Sequence, residues 1–161
     1  MDDVASARSV PSPIPRPADS AARLLHPSGA GAPAVDSSVL REIAAGLAAA
    51  VEYVDPAVER SIERIPLLAT AAYDAWLVVW GPGAELERHD HDGSIGVVHV
   101  IQGELLETAE ALGEGGLAHL RRLGHGETTE FAAGEAHALR NPGGITTVSI
   151  GVFSPPLGAA G

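Results

Sequence analysis

Three histidines have the residue type and spacing to hold a metal ion. His89 and His91 are separated by one residue, and alternate side chains of an extended strand point to the same face, so both imidazoles can bind one ion. The best candidate for a third ligand is His137, in a stretch that also contains Gly126 and Gly134. Imidazole suits several divalent metals, so the ligand type alone does not select one.

The amino-acid composition restricts the binding partners and the kinds of site that can be expected. The chain of 161 residues has a formal net charge of −11, which disfavours polyanions such as nucleic acid. It contains no cysteine, which excludes disulfides, zinc–thiolate sites and a cysteine nucleophile. No apolar run approaches the roughly 18 residues of a membrane span, and the N-terminus has no basic region followed by an apolar one. We expect a soluble, cytoplasmic monomer or homodimer with no membrane or nucleic-acid partner.

The elements that must position the histidines divide into two regions. Residues 1–34 are rich in Pro, Ala and Ser, which predicts a flexible tail in which residues 21–25 could form a short helix. Residues 35–161 are predicted to form a single domain with an N-terminal helical extension. Apolar residues four apart predict a helix over residues 37–54, and a second short helical piece is expected over residues 56–64.

Short strands follow, separated by Gly and Pro. They are predicted at residues 75–80, 95–101, 117–123, 128–131 and 146–153. Strands of this length and spacing favour a mainly all-β domain, built as an antiparallel barrel or a double-sheet jelly roll. The helices are expected to pack on its outside.

The spacing of glycines and histidines resembles the two sequence motifs of the cupin superfamily. The first motif is matched by Gly83, His89, His91, Gly96 and Gly103. The second is matched by Gly126, Gly134, His137 and Asn141. Gly96 stands where the first motif usually has Glu, and Ala132 replaces the usual Pro of the second. The resemblance implies a cupin double-stranded β-helix, or jelly-roll barrel, with three imidazoles at its mouth.

A more specific resemblance covers residues 60–157. Its pieces are WGPG (80–83), HDHDGSIG (89–96), VIQGELLET (100–108), HALRN (137–141) and SIGVFSPPL (149–157). They are similar to the cysteine dioxygenase family of cupins, particularly its bacterial members. Members of that family use Fe(II) on three His to add both atoms of O2 to a substrate sulfur, giving a sulfinic acid. The resemblance therefore implies Fe(II), O2 and a small thiol or amino-acid substrate.

The resemblance also implies roles for single residues. His89, His91 and His137 resemble the iron ligands of the family. Arg64 resembles the arginine that holds the substrate carboxylate, and the planar fork of a guanidinium matches a carboxylate. Without the resemblance, Arg64 would be interpreted as an exposed arginine at a helix end. Zinc, nickel or another divalent metal is the alternative to Fe(II).

The departures from the family lie close to the chemistry. The family's hydrogen-bonded Ser, His and Tyr on the last strand correspond to Ser149, Gly151 and Phe153, which share one strand face. Phe153 has no phenol to donate to dioxygen or substrate, and Gly151 leaves space where an imidazole would sit. Arg64, Ser149 and Phe153 are the candidate catalytic residues. We expect an enzyme whose rate is reduced but not abolished, or an enzyme whose substrate is larger than cysteine.

Gly96 has two further consequences. It corresponds to the cross-linking cysteine of animal members, so no thioether can form. It also supplies no carboxylate, so an anionic substrate such as a thiolate would complete the charge balance of the ion. Asp90 and Asp92 are candidates to accept hydrogen bonds from the histidine ligands. The equal alternative is that both are loop carboxylates that contact only solvent.

Two other functions remain open from the sequence. The first is a three-His cupin with non-dioxygenase chemistry, for example a Zn-dependent rearrangement or lyase step in biosynthesis. The loss of the His and Tyr at positions 151 and 153 motivates it. The second is a non-catalytic cupin that binds a small acid.

Overall fold

The computed structural model describes residues 35–52, 54–110 and 118–158, and the structural statements below concern these residues. The tail expected over residues 1–34, with its short helix at 21–25, lies outside them. Within the described ranges, no helix is long and apolar enough to cross a membrane.

Helix α1 (Ser37–Ala50) covers most of the predicted helical segment. Asp36 is its N-cap, and its side chain accepts a hydrogen bond from the Val39 backbone N–H, which would otherwise lack a partner. The helix ends four residues before the predicted boundary, because Val51 adopts extended backbone angles. Val51 still packs against the core from its extended conformation, so the apolar pattern continues beyond the helix.

The prediction of a short helix over residues 56–64 is wrong. The chain forms a turn at residues 59–60 and enters a strand at Ile62. Backbone hydrogen bonds explain the extended conformation: the Arg60 N–H donates to the Pro82 carbonyl, and the Gly81 N–H donates to the Ser61 carbonyl. Pairing with the end of the next strand therefore outweighs any local preference for a helix.

Nine strands follow the helix within the described residues. They are β1 (Ile62–Ala69), β2 (Asp74–Trp80), β3 (Glu85–His89), β4 (Ile95–Gln102), β5 (Leu105–Glu110), β6 (Ala118–Leu123), β7 (Thr128–Phe131), β8 (His137–Arg140) and β9 (Thr147–Ser154). One sheet has the order β1-β2-β9-β4-β7 and the other β3-β8-β5-β6, with antiparallel pairing throughout. The mainly all-β, two-sheet architecture is confirmed.

Strand β9 is buried along its whole length and separates two apolar clusters. Alternate residues, Val148, Ile150 and Val152, belong to the cluster that includes the buried face of α1. Phe153, on the other face, belongs to the second cluster, which includes residues from both sheets. The face that carries Phe153 also carries positions 149 and 151. The helix thus covers one side of the five-stranded sheet and leaves the other side to face the second sheet.

Candidate metal centre

The three histidines meet at one end of a cavity between strands. His89 is the last residue of β3 and pairs directly with His137, the first residue of β8. The nitrogen atoms that the three rings offer all lie within 4.8 Å of one another. The Nε2 atoms of His91 and His137 are 3.2 Å apart. The fold therefore brings together two segments whose histidines are 46 residues apart in the chain.

An irregularity in β3 aims His89 at this cavity. Leu86 pairs with Leu139, but His89 pairs with His137, so two residues of β3 (87–88) face the single residue Ala138 of β8. Leu86 and His89 both line the cavity although they are three positions apart. Regular alternation would place them on opposite faces, but the bulge absorbs the extra residue, so His89 points inward like Leu86.

His91 reaches the centre from a loop and not from the strand that carries His89. Strand β3 ends at His89, so the expected strand geometry for both rings is wrong. The Asp90 side chain accepts a hydrogen bond from the Asp92 N–H at 3.0 Å, and Asp92 has a positive φ of 52°. The Ser94 N–H donates to the His91 carbonyl at 3.0 Å. A tight turn with an Asx hydrogen bond therefore returns the chain and presents the His91 ring.

Hydrogen bonds orient two of the three rings. The Nδ1 atom of His89 lies 2.7 Å from the carbonyl oxygen of Glu87, and Nδ1 of His137 lies 3.1 Å from Oε1 of Glu107. A carbonyl oxygen and a carboxylate can only accept, so Nδ1 is assigned as the donor in both rings. Each Nε2 then carries a lone pair, which is the form that binds a metal.

Sequence reasoning missed Glu107 and looked to Asp90 and Asp92 for this role. The side chain of Glu107 is only 5% exposed, and its Oε2 accepts a hydrogen bond from the Thr129 hydroxyl at 2.7 Å. The available signal was alternation: Glu107 follows Leu105 by two residues on β5, and both are buried. A carboxylate at an inward strand position between apolar residues is seldom left without a function.

Burial keeps the His91 ring neutral. Its ring centroid lies 4.9 Å from that of Phe131, in a stacked arrangement, and 4.8 Å from that of Phe153. Burial, followed by the charges of the neighbouring imidazoles, lowers the pKa of His91 to about 4. Burial also lowers the pKa of His89, against the opposing effect of the Glu87 carbonyl. Both rings are neutral at neutral pH, as metal binding requires.

Aromatic rings fill the position from which a cupin glutamate would bind the ion. A Cβ atom on Gly96 would lie 2.3 Å from Cζ of Phe131 and 2.8 Å from Cδ1 of Phe153. Contacts this short exclude any side chain at position 96 unless both rings move. The loss of the glutamate and the packing of the two rings are thus parts of one arrangement.

Phe153 also occupies the space above Gly151. A Cβ atom on Gly151 would lie 2.9 Å from Cε2 of Phe153. The expectation that Gly151 leaves open space is therefore corrected: the ring of the next inward residue covers it. The space that an imidazole would take is apolar and filled.

Ser149 has a different partner from the one expected in a Ser-His-Tyr set. Its hydroxyl oxygen accepts a hydrogen bond from Nε1 of Trp80 at 2.9 Å, and the residue is 1% exposed. Ser149 pairs with Val78 across β2 and lines the cavity. This hydrogen bond joins Ser149 to the indole of Trp80 on β2. Ser149 is therefore part of the wall of the cavity that the three histidines also line.

Arg64 lies on β1, opposite Val78 of β2. It belongs to a strand, so its interpretation as an arginine at a helix end is excluded. The residue is exposed and lines the same cavity as the three histidines. Its positive charge contributes to lowering the pKa of both His89 and His91, which indicates proximity to these rings.

The cavity has a volume of about 430 Å³, within the range of sites that hold small molecules. Its polar lining includes Arg64, His89, Asp90, His91, Asp92, His137 and Ser149. Its apolar lining includes Trp76, Val78, Leu86, Val98, Leu139, Phe153 and Leu157. A ligand can therefore meet charged groups and an apolar wall at the same time.

Comparison with known families agrees with this geometry. The family model for cysteine dioxygenase type I matches residues 64–159, which include every candidate site residue discussed above. The chain belongs to this family.

Solved structures confirm the cupin fold for this cysteine dioxygenase family member. A Thermus thermophilus protein is 24% identical over 59% of this chain and 84% of that one, with a TM-score of 0.51. KdgF from Halomonas sp. is 24% identical over 63% of this chain and 86% of its own, with a TM-score of 0.53. The Cnp3 cupin domain of Schizosaccharomyces pombe is 16% identical over 63% and 68%, with a TM-score of 0.52. These identities establish the fold alone.

The donor set of this family member fits a divalent metal. Nitrogen ligands at about 2.0–2.1 Å from one ion lie roughly 3–4 Å from each other. The 3.2 Å between Nε2 of His91 and His137 already meets that condition. The ligand nitrogens of all three rings lie within 4.8 Å of one another. The three-His group and the family together support a metal-binding cupin.

Proposed function

We propose that this protein is a non-haem Fe(II) thiol dioxygenase, which oxidises cysteine or another small thiol carboxylate to a sulfinic acid. The observation that carries the proposal is the convergence of three imidazoles on a cavity that Arg64 also lines. The reaction RSH + O2 → RSO2H balances without a further reactant. The sulfur gives up four electrons, and the dioxygen takes up four.

His89, His91 and His137 would hold the ion, each through Nε2. Fe(II) bound there would supply open coordination positions at which a thiolate sulfur and dioxygen are brought together. Membership of the cysteine dioxygenase type I family supports Fe(II). Zinc, nickel or another divalent ion would fit the same imidazole donors.

Arg64 would bind the carboxylate of the substrate. A guanidinium presents parallel N–H donors that match the two oxygens of a carboxylate, and such charge-assisted pairs are stronger than neutral ones. Because Arg64 is exposed and the histidines are half-buried or buried, the carboxylate would face the opening. The sulfur would then be directed inward to the histidines, with its orientation fixed at both ends.

The apolar residues that line the cavity favour a substrate with an apolar body. Phe153 offers no phenol, and its ring covers the position at which the family carries an imidazole. Trp76 and Leu157 add further apolar surface to the cavity. Ser149 would act from this wall as a polar neighbour, with its hydroxyl held by Trp80. Thiol carboxylates bulkier than cysteine are therefore included in the proposed substrate range.

The direct test is anaerobic loading with Fe(II), followed by air and a panel of thiols. The panel compares cysteine, shorter and longer mercapto acids, and the matching thiols without a carboxylate. We expect uptake of one O2 per thiol and a product heavier by two oxygen atoms, with the carboxylates favoured. Protein loaded with zinc is the control and is expected to be inactive.

The same experiment decides between the competing functions. The apolar packing at positions 151 and 153 favours, as the second candidate, a three-His cupin with non-dioxygenase chemistry. Tight zinc retention with no uptake for any thiol would support that candidate. Recovery of unchanged ligand after incubation with Fe(II) and air would support a non-catalytic cupin that binds a small acid. The cytoplasmic location and the monomeric or homodimeric state remain predictions.

A further inference from the structure

A buried carboxylate stands directly behind one of the candidate metal ligands. Oε1 of Glu107 lies 3.1 Å from Nδ1 of His137, and the side chains are 5% and 1% exposed. Burial of a charged group without compensation is costly, so a carboxylate in this position needs partners. The fold has placed Glu107 where its negative charge acts on the ring that faces the cavity.

The contacts of Glu107 form a chain with one direction of donation. Nη1 of Arg121 donates to Oγ1 of Thr129 at a long 3.4 Å, and the Thr129 hydroxyl donates to Oε2 of Glu107 at 2.7 Å. A guanidinium can only donate and a carboxylate can only accept, so the direction is fixed from the surface inward. His137 therefore donates from Nδ1 to the remaining oxygen, and its Nε2 is kept free for a ligand role.

Charge gives this contact a second consequence. Three neutral imidazoles leave the two positive charges of a divalent ion uncompensated by the protein ligands. Position 96, where a cupin glutamate would compensate, is a glycine covered by Phe131. Glu107 is a buried carboxylate that contacts the ligand set through a hydrogen bond. It places negative charge one imidazole away from the ion.

We infer that Glu107 is a positioning residue of the metal centre: it fixes His137 with Nε2 toward the ion and supplies negative charge that position 96 does not. This inference rests on the metal site of the proposed function, and does not depend on thiol oxidation. Partners of this kind typically change metal affinity 10–100-fold when they are removed.

The test measures the affinity of the full chain for Co(II) and for Fe(II) under anaerobic conditions, by competition with a chromophoric chelator. Glu107→Gln keeps the shape of the side chain and removes its charge, and we expect a 10–100-fold weaker affinity. Glu104→Gln is the matched control, because Glu104 is a partly exposed neighbour in the sequence and is paired with Arg122 and not with a histidine. We expect the control to retain the affinity of the parent.

Two further measurements separate positioning from simple structural support. The midpoint potential of bound iron is expected to rise in Glu107→Gln, since loss of nearby negative charge disfavours Fe(III) more than Fe(II). Thermal unfolding of the metal-free proteins checks that the variant folds. If Glu107→Gln does not fold, Glu107→Asp keeps the charge but withdraws the carboxylate by one methylene, and it is expected to lose affinity as well.

Equal affinity and an unchanged potential in a folded Glu107→Gln would overturn the inference, while the thiol dioxygenase proposal would still stand. Weaker binding in Glu107→Gln, together with no oxidation of any thiol by the parent, would leave the inference standing and remove the proposed function. A parent that binds neither metal would overturn both.

Discussion

The Nε2 atoms of His91 and His137 lie 3.2 Å apart, but the two rings have different environments. His91 lies against Phe131 and Phe153, in an apolar environment that lowers its pKa. His137 also contacts Phe131, but its Nδ1 faces the buried carboxylate of Glu107. One side of the centre is organised by packing and the other by charge.

The difference between the sides coincides with the departures from the family pattern. Gly96, Gly151 and Phe153 all belong to the apolar side, where the Phe153 ring covers both glycines and the Phe131 ring also covers Gly96. The charged side carries the hydrogen bonds that Glu107 accepts from His137 and Thr129. We expect the charged side to have the larger effect on metal affinity, and the apolar side to have the larger effect on the substrate and rate of the proposed reaction.

The largest expected effect is on the charged side. His137→Ala removes a ligand and is expected to abolish metal retention, because two imidazoles rarely hold a labile divalent ion. It also leaves Glu107 without its ring partner, which costs about 1–3 kcal/mol of unfolding free energy in the metal-free protein. His89→Ala is expected to lose the metal without this second effect. Metal analysis after desalting and denaturant unfolding measure the two results, and full metal content in either variant would show that the ligand set is wrong.

Substrate binding is expected to respond next. Arg64→Met would remove the charge-assisted hydrogen bonds proposed between the guanidinium and the substrate carboxylate. Such bonds are worth about 1.5–3 kcal/mol, which corresponds to roughly one to two powers of ten in KM for a thiol carboxylate. The KM of a thiol without a carboxylate is expected to stay the same. Arg88→Met is the control, because Arg88 is exposed and paired with Glu110. Equal KM changes for both kinds of thiol would contradict the assigned role.

Packing on the apolar side can be tested by a double-mutant cycle. Gly96→Glu forces a side chain into the space of Phe131 and is expected to cost about 1–3 kcal/mol or more. Phe131→Ala alone creates a cavity and costs about 3–5 kcal/mol. The double variant is expected to lose less than the sum of the two, as measured by denaturant unfolding. Simple additivity would mean that the two positions do not compete for space.

A smaller effect is expected from restoring the phenol. Phe153→Tyr adds one hydrogen bond, worth about 0.5–1.5 kcal/mol net, so the gain in kcat with cysteine is expected to be about tenfold at most. Gly151 provides no imidazole partner for the phenol, which also limits the gain. No gain with cysteine, combined with faster turnover of a bulkier thiol by the parent, would indicate a changed substrate.

The last expected effect is on the pH dependence of stability. Since burial holds the folded-state pKa of His91 near 4, below its ordinary 6.5, the unfolded chain takes up a proton first as the pH falls. The unfolding free energy of the metal-free protein is therefore expected to decrease from about pH 6.5 to about pH 4. His91→Gln is expected to flatten this dependence. An unchanged slope would assign the effect to other groups.

The sequence predicted five of the nine strands that the structure describes. The five expected strands correspond to β2, β4, β6, β7 and β9 within one or two residues. Strand β1 was missed because most of its residues are exposed, so no alternation marks it. Strands β3 and β8 are only five and four residues long, and their charged residues resemble a loop.

The candidate site divides in the same way. The three histidines and Arg64 could be selected because their local spacing matches a family pattern. Glu107 could not, because its relation to His137 depends on a contact between residues 30 positions apart. The rings that replace the carboxylate at position 96 also come from other strands. Such substitutions become visible only when the register of the sheets is known.

The bulge in β3 absorbs one extra residue without changing the direction of His89. Removal of residue 87 or 88 would restore regular pairing between β3 and β8 and keep most of the sheet's hydrogen bonds. Leu86 and His89 would then be two positions apart and would still share the inward face of the strand. A difference of one residue in the length of β3 is therefore compatible with the same three converging imidazoles at the mouth of the barrel.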